Sequence, residues 1–286
     1  MLDGRPQPQL RVTRSVELTL VGVEVEGDRL AWIDAPELAP VTILRVLDDR
    51  FADAGVRRWL ESANFLGIVE LTLASGISDR GAQLLADDER LAGLRSLGLF
   101  RNQIGAVGIS ALIARPRPWR RLLLGRNRMG VAGARALAGP TGLAELELLD
   151  LDCNRLDGAA VRALVSGPQL AGAKILNLSN NRIGGEGCAA LADAPMDRLE
   201  VLYLHGCGLD DDAVATLLRA PWLSRLRNLA LSDNALSMVS IERLVARPTL
   251  SLGELDICHN PGILEGAAES LLRGAPQFAG LHRLCL

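Results

Sequence analysis

The chain has few aromatic residues and no apolar run long enough to cross a membrane. Aromatic residues make up 3% of its 286 residues, with a single tyrosine, whereas hydrophobic residues make up 49%. The core must therefore be built from aliphatic side chains. The N-terminal residues lack the apolar stretch of a signal peptide. We therefore expect no membrane partner, and the cytoplasm is the expected location.

Basic charge and paired cysteines are also scarce. The net charge is −3, and Lys174 is the only lysine. The chain thus lacks the positive field that recruits nucleic acid, and only binding lost steeply with salt would revive that alternative. Five cysteines, an odd number without paired spacing, fit a reducing compartment better than a disulfide framework.

What the chain has in abundance is a periodic leucine. One leucine position recurs in steps of 25 to 29 residues along the chain. The positions are Leu18, Leu44, Leu71, Leu97, Leu122, Leu149, Leu176, Leu202, Leu229, Leu255 and Leu284. Unrelated amphipathic segments would not keep that spacing, so it predicts a repeat architecture.

Each period repeats the same local pattern. Leu176 and Leu178 alternate with polar Asn177 and Ser179, which predicts a strand with one buried face. A column of small polar residues follows: Asn102, Asn127, Asn154, Asn181, Cys207, Asn234 and Asn260. Buried amides there can satisfy the backbone of the turn. A short helix follows each turn, and a proline is expected to end it, at Pro116, Pro140, Pro168, Pro195, Pro221, Pro248 or Pro276.

The pattern L-x-x-L-x-L-x-x-N-x-[IL]-x-x-x-G-x-x-x-L resembles the ribonuclease-inhibitor-like class of leucine-rich repeat proteins. The resemblance implies an α/β fold: a right-handed solenoid, or horseshoe, with a concave parallel sheet of about eleven strands and convex helices. Repeats of the form L-x-L-x-x-N-x-I-G-x-x-G also resemble bacterial leucine-rich repeat proteins, as in myxobacteria and planctomycetes.

The boundaries follow from where the repeats match. We predict a flexible N-terminal segment at 1–14 and a single solenoid at 15–286. Within it, 15–93 form divergent repeats, in which Val23, Asp49 and Gly76 replace the asparagine, and 94–286 form regular repeats that end in mid-repeat. A bare leucine-rich strand at that end would need cover, so we expect either a fragment of a longer protein or a natural half-repeat that forms the last strand, in preference to a contact with another subunit there.

Residues between the leucines should point outward on the concave face. Arginines gather in the N-terminal half and carboxylates in the C-terminal half, and exposed aromatics with arginine are typical of binding hot spots. The predicted partner-binding residues are Phe100, Arg101, Arg121, Arg126, Asp150, Asp152, Tyr203, His205, Glu254, Asp256 and His259. The alternative is that these polar residues only keep the sheet face soluble.

The same layout bears on metal binding and catalysis. Histidine and cysteine fall in three pairs: His205/Cys207, Cys258/His259 and His282/Cys285. Pairs two strands apart would be separated by about 9–10 Å, too far for one tetrahedral zinc. The carboxylates lack an accompanying nucleophile in a closed pocket. We therefore expect no catalytic residue, metal or cofactor.

The sequence favours a non-catalytic scaffold that binds a protein partner on the concave face. Two alternatives remain. One is a regulator of an enzyme, as leucine-rich repeat inhibitors and GTPase activators are, although this likeness rests on the fold alone. The other is the recognition segment of a larger multidomain protein.

Overall fold

The computed structural model describes residues 11–12, 16–21, 31–48, 50–74, 76–139, 143 and 145–286. Predictions for the rest of the N-terminal segment, for Val23, for Asp49 and for Pro140 fall outside the described residues. The boundary proposed between that segment and the solenoid stays a prediction.

One sheet runs through the described chain. Its strands, β1 to β12, are Arg11–Val12, Val16–Val21, Val41–Leu47, Glu70–Leu73, Ser96–Gly98, Arg121–Leu123, Leu148–Asp150, Ile175–Asn177, Val201–Tyr203, Asn228–Ala230, Glu254–Asp256 and Arg283–Cys285. β1 pairs antiparallel with β2, and β2 to β12 pair in parallel in chain order. The described residues thus contain eleven parallel strands, which confirms the predicted α/β solenoid.

Helices return the chain from one strand to the next. Among the described residues, α1 to α9 are Ala52–Glu61, Asp79–Asp87, Ala106–Ile113, Gly130–Leu137, Gly158–Val165, Gly184–Ala192, Asp211–Leu217, Met238–Val245 and Glu265–Gly274. Short 3₁₀ turns occupy Ala31–Asp34, Pro36–Leu38, Glu89–Gly93, Pro168–Leu170, Pro221–Arg225 and Pro276–Phe278. Proline suits the start of such a turn because an N–H group at that position would have no intrahelical partner, so proline loses no hydrogen bond there.

The periodic leucines form the core. Leu149, Leu176 and Leu202 lie opposite one another on neighbouring strands and are fully buried. Each repeat buries its leucines against the next, so apolar burial continues along the solenoid without a separate core for each repeat.

The asparagine column joins neighbouring repeats through hydrogen bonds. Asn181 Oδ1 accepts from the backbone N–H groups of Asn154 (2.9 Å) and Leu156 (3.0 Å). Its Nδ2 donates to the carbonyls of Leu151 and Leu178, both at 2.9 Å. One buried side chain therefore satisfies four backbone groups, as the sequence predicted.

Cys207 replaces asparagine in this column and keeps part of its role. Its Sγ lies 3.3 Å from the carbonyl oxygen of Leu178, to which the thiol donates. Burial raises the pKa of the Cys207 thiol to about 12, so it keeps its proton.

The residue before each column position adopts a left-handed backbone. Seven such residues have φ between 51° and 61°: Arg101, Arg126, Cys153, Asn180, Gly206, Asp233 and His259. Only one is glycine, although the left-handed conformation costs other residues roughly 1–2 kcal/mol. The turn places these residues at the rim where the strands end, and the non-glycine side chains there are exposed.

One expectation is corrected at the C-terminal end. Cys258 and Cys285 form a disulfide with a Cα–Cα distance of 5.4 Å across a sequence separation of 27 residues. Close spacing in the sequence could not reveal this disulfide because, in a solenoid, neighbouring strands are one repeat apart in sequence. Cysteines that pair across two strands are therefore far apart along the chain.

The column provides a direct test of stability. Asn181→Ala should lower the free energy of unfolding by roughly 3 kcal/mol, because it leaves buried backbone groups without partners. Gln83→Ala is the control, since this amide is exposed on α2, and should change stability by less than about 0.5 kcal/mol. Urea unfolding followed by circular dichroism measures both, and equal midpoints for the two variants would contradict the role given to the column.

Candidate functional site: the concave face

Side chains between the leucines form rows across the concave face. Register places the central row in the order Gly98, Leu123, Asp150, Asn177, Tyr203, Ala230 and Asp256. Neighbours in a row are one strand apart, about 4.8 Å. The middle of the face thus combines a carboxylate, an amide and an aromatic ring.

An apolar strip runs beside this row. Leu148, Ile175 and Val201 lie opposite one another on β7, β8 and β9, and each is half-buried. Other repeats have polar residues at this position, such as Arg121 and Asn228. Sequence reasoning did not select the strip, although three aliphatic side chains at outward positions were the available signal.

The two aromatic candidates differ in exposure. Tyr203 is 39% exposed, as the sequence predicted. Phe100 is half-buried, so it offers less surface to a partner than expected. Among the outward positions, Ser179, Ser232 and Cys258 are also buried, because neighbouring side chains on the sheet cover short residues near the turn.

Asp150 and Asp152 form a linked pair in the middle of the face. Asp150 Oδ1 accepts the backbone N–H of Asp152 at 3.0 Å. Asp152 Oδ1 accepts Asn180 Nδ2 at 2.7 Å, and its Oδ2 lies 3.4 Å from Arg126 Nε. Burial, reinforced by the charge of Asp152, raises the pKa of Asp150, and the hydrogen bonds it accepts only partly offset this.

The charge of Asp150 is not needed for its structural bond. In the next repeat, Asn177 Oδ1 accepts the N–H of Ser179 at 3.0 Å in the same way. Because an amide can make the same bond, the turn does not require the charge at 150, whose partial desolvation has a cost in stability. A charge kept at such a cost marks a candidate functional residue.

The arginines are less separated from the carboxylates than predicted. Arg45 pairs with Glu17 and lies 3.8 Å from Glu70, and Arg126 pairs with Asp152. Arg101 and Arg121 are exposed on the N-terminal part of the face. The expected division into a basic and an acidic half is therefore only partial.

A hydrogen-bonded chain crosses the C-terminal part of the face. His205 Nδ1 lies 3.0 Å from Ser232 Oγ, and Ser232 Oγ donates to Asp256 Oδ2 at 2.9 Å. Asp233 Oδ2 lies 3.2 Å from His205 Nε2 and 3.7 Å from His259 Nδ1. The structure thus brings together three of the predicted partner-binding residues, His205, Asp256 and His259.

Glu254 lies at the far end of the same face. Its Oε1 is 3.7 Å from His282 Nε2, and its Oε2 is 3.8 Å from Arg283 Nη1. All three histidines of the chain therefore face a carboxylate on the C-terminal part of the solenoid.

Metal-type side chains converge once within the described part of the chain. Donor atoms of Asp256, Cys258 and Cys285 all lie within 4.8 Å of one another. A separation of two strands does not apply to these cysteines, because Cys258 lies just beyond the end of β11 and Cys285 ends the neighbouring strand β12. For the described residues, no helix has both the length and the apolar character to cross a membrane.

Comparison with known proteins agrees with the architecture. The family model described as Leucine Rich repeat matches residues 94–112 and 174–192. The crystal structure of internalin C2 from Listeria monocytogenes is similar with a TM-score of 0.53 and 22% identity, over 82% of this chain and 91% of that chain. The chain thus contains segments that match the leucine-rich repeat and has the fold of a leucine-rich repeat solenoid.

A second solved structure is also similar to this chain. The plant peptide hormone receptor RGFR1, solved in complex with RGF2, is similar with a TM-score of 0.46 and 14% identity, over 89% of this chain and 36% of that chain. No curated protein matches the sequence.

The raised pKa of Asp150 predicts that replacing this carboxylate with an amide changes stability in a pH-dependent way. Because burial raises the folded-state pKa of Asp150, the folded state binds its proton more tightly than the unfolded state, and this contribution to stability is lost as pH rises through the folded pKa. Asp150→Asn should therefore be more stable than the wild type at neutral pH. Its advantage should shrink as pH falls towards the ordinary aspartate pKa of about 3.9.

Thermal unfolding of both proteins across that pH range measures the effect. Asp157→Asn is a matched control on the opposite side of the solenoid, where the Asp157 carboxylate caps α5 through the N–H of Ala160. The control should show no gain at neutral pH. A wild type more stable than Asp150→Asn at neutral pH would show that the partly desolvated charge of Asp150 does not destabilise the folded state.

Proposed function

We propose that the protein is a non-catalytic scaffold that binds a segment of a protein partner on its concave face. The observation that carries this proposal is that one face of the sheet holds the partly desolvated carboxylate of Asp150, the exposed ring of Tyr203 two strands further on, and the apolar strip. Leucine-rich repeat solenoids are protein-interaction folds, which supports the general class.

The chemistry of this face defines the partner segment. The apolar strip of Leu148, Ile175 and Val201, with Tyr203 beside it, suits an aliphatic or aromatic side chain. Asp150 and Asp152 suit an arginine or lysine placed next to that side chain. Since Arg126 already pairs with Asp152, a basic group of the partner would contact Asp150 first and then compete with Arg126.

The remaining predicted residues extend the proposed surface. Arg101 and Arg121 border it on the N-terminal side, with Phe100, and His205, Glu254, Asp256 and His259 border it on the C-terminal side. The finer family likeness, ribonuclease-inhibitor-like and bacterial, remains part of this proposal. We also propose a cytoplasmic location, where the reducing environment would hold Cys258 and Cys285 as thiols.

Site-specific photo-crosslinking tests the proposed face. A photoreactive amino acid replaces Tyr203 in the full chain, which is then expressed in its native host and irradiated. A covalent adduct with a defined protein is expected, because Tyr203 lies at the centre of the proposed surface. Adding Asp150→Asn to the same chain should reduce the adduct by about tenfold, the typical cost of a lost charged contact.

The control carries the same photoreactive residue at Val107, which is 57% exposed on α3, on the other side of the sheet. It should give no adduct with that protein. Equal adducts from positions 203 and 107, or none from 203, would rule out recognition through the concave face.

A further inference from the structure

We propose that Asp256, Cys258 and Cys285, with both cysteines reduced, form a binding site for a thiophilic divalent cation such as Zn²⁺. This inference is independent of the proposed protein binding. It concerns the ends of the last two strands, β11 and β12, where the Cα atoms of Cys258 and Cys285 lie 5.4 Å apart.

The donor set fits zinc in type and placement. The two Sγ atoms and a carboxylate oxygen of Asp256 lie within 4.8 Å of one another, so small side-chain rotations can bring all three onto one ion. Zinc prefers thiolate sulfur and accepts carboxylate oxygen. Cys258 is buried and Cys285 is exposed, so the site has a protected side and an open side.

The surroundings hold the carboxylate in place. Asp256 Oδ1 accepts the backbone N–H of Cys258 at 3.2 Å, and its Oδ2 accepts the hydroxyl of Ser232 at 2.9 Å. Ser232 in turn lies 3.0 Å from His205 Nδ1. Hydrogen-bonded carboxylates of this kind are typical of metal ligands, because outer partners orient the coordinating oxygen.

The other cysteines lack these features. Cys188 and Cys207 are buried, and burial raises the pKa of each thiol to about 12, which opposes the thiolate that a metal requires. Cys153 is exposed and free. Among the described residues, only the pair at 258 and 285 combines two sulfur atoms with a neighbouring carboxylate.

Charge and redox state complete the argument. Two thiolates and one carboxylate more than neutralise a divalent cation, and three protein ligands leave a fourth tetrahedral position for water. Reduction of the disulfide by a dithiol transfers two electrons and two protons, giving two protein thiols and the cyclic disulfide of the reductant. Zn²⁺ then displaces the two thiol protons.

Metal titration of the full chain tests the site. After reduction and removal of chelatable metal, the protein should bind one Zn²⁺ in competition with a chromophoric chelator. Co²⁺ should give a sulfur-to-cobalt charge-transfer band. The oxidised protein should bind neither ion, because its sulfur atoms are joined.

Variants separate the ligands from the fold. The double variant Cys258→Ser with Cys285→Ser should bind Zn²⁺ at least about 100-fold more weakly, since losing ligands exceeds the usual 10–100-fold cost of losing their outer partners. Asp256→Asn retains both cysteines and should bind at least about tenfold more weakly. Cys153→Ser, outside the site, should bind as the wild type does.

Each contrary result overturns the proposal. Reduced wild-type protein without stoichiometric Zn²⁺ would mean that the cysteines form a structural disulfide only. Wild-type affinity in the double cysteine variant would place the metal elsewhere. Wild-type affinity in Asp256→Asn would remove the carboxylate from the ligand set, whereas circular dichroism of each variant checks that the solenoid remains folded.

Discussion

A buried amide that satisfies the backbone of two adjacent repeats is the interaction on which this solenoid depends. Asn181 accepts two N–H groups from the preceding repeat and donates both to that repeat and to its own. Without such a partner, the turn after each strand could not be buried next to the aliphatic core. Leucine burial supplies the driving force, but the amide column makes it compatible with a chain that turns inward in every repeat.

Periodicity explains why so much of the fold could be predicted. Leu149, Leu176 and Leu202 take neighbouring places in the sheet because each is one repeat beyond the last, so their spacing in sequence is their order in space. Asparagine at 181 and cysteine at 207 were recognisable for the same reason. Residues 31–40, the described part of the connection between β2 and β3, contain 3₁₀ turns, in keeping with the prolines at 36 and 40.

What the sequence could not predict depends on contacts across the sheet. Alternation alone assigns Ser232 and Asp256 to the same exposed face, yet Ser232 is buried and links His205 to Asp256 through hydrogen bonds. The disulfide arises similarly, because Cys258 reaches Cys285 diagonally across β11 and β12. Pairing of Arg126 with Asp152 also needed the register of two strands and the left-handed turn at Arg126.

Structure and recognition make different demands on the same positions of the face. Where the central row holds a carboxylate or an amide, that side chain can accept the N–H two residues on, and Asn177 shows that an amide is enough. Asp150 and Asp256 make this bond with a carboxylate instead. At 150 the extra charge is partly desolvated beside apolar side chains, and at 256 it faces two sulfur atoms. The repeat therefore fixes where these carboxylates stand, while their charge is free to serve the particular contacts of each site.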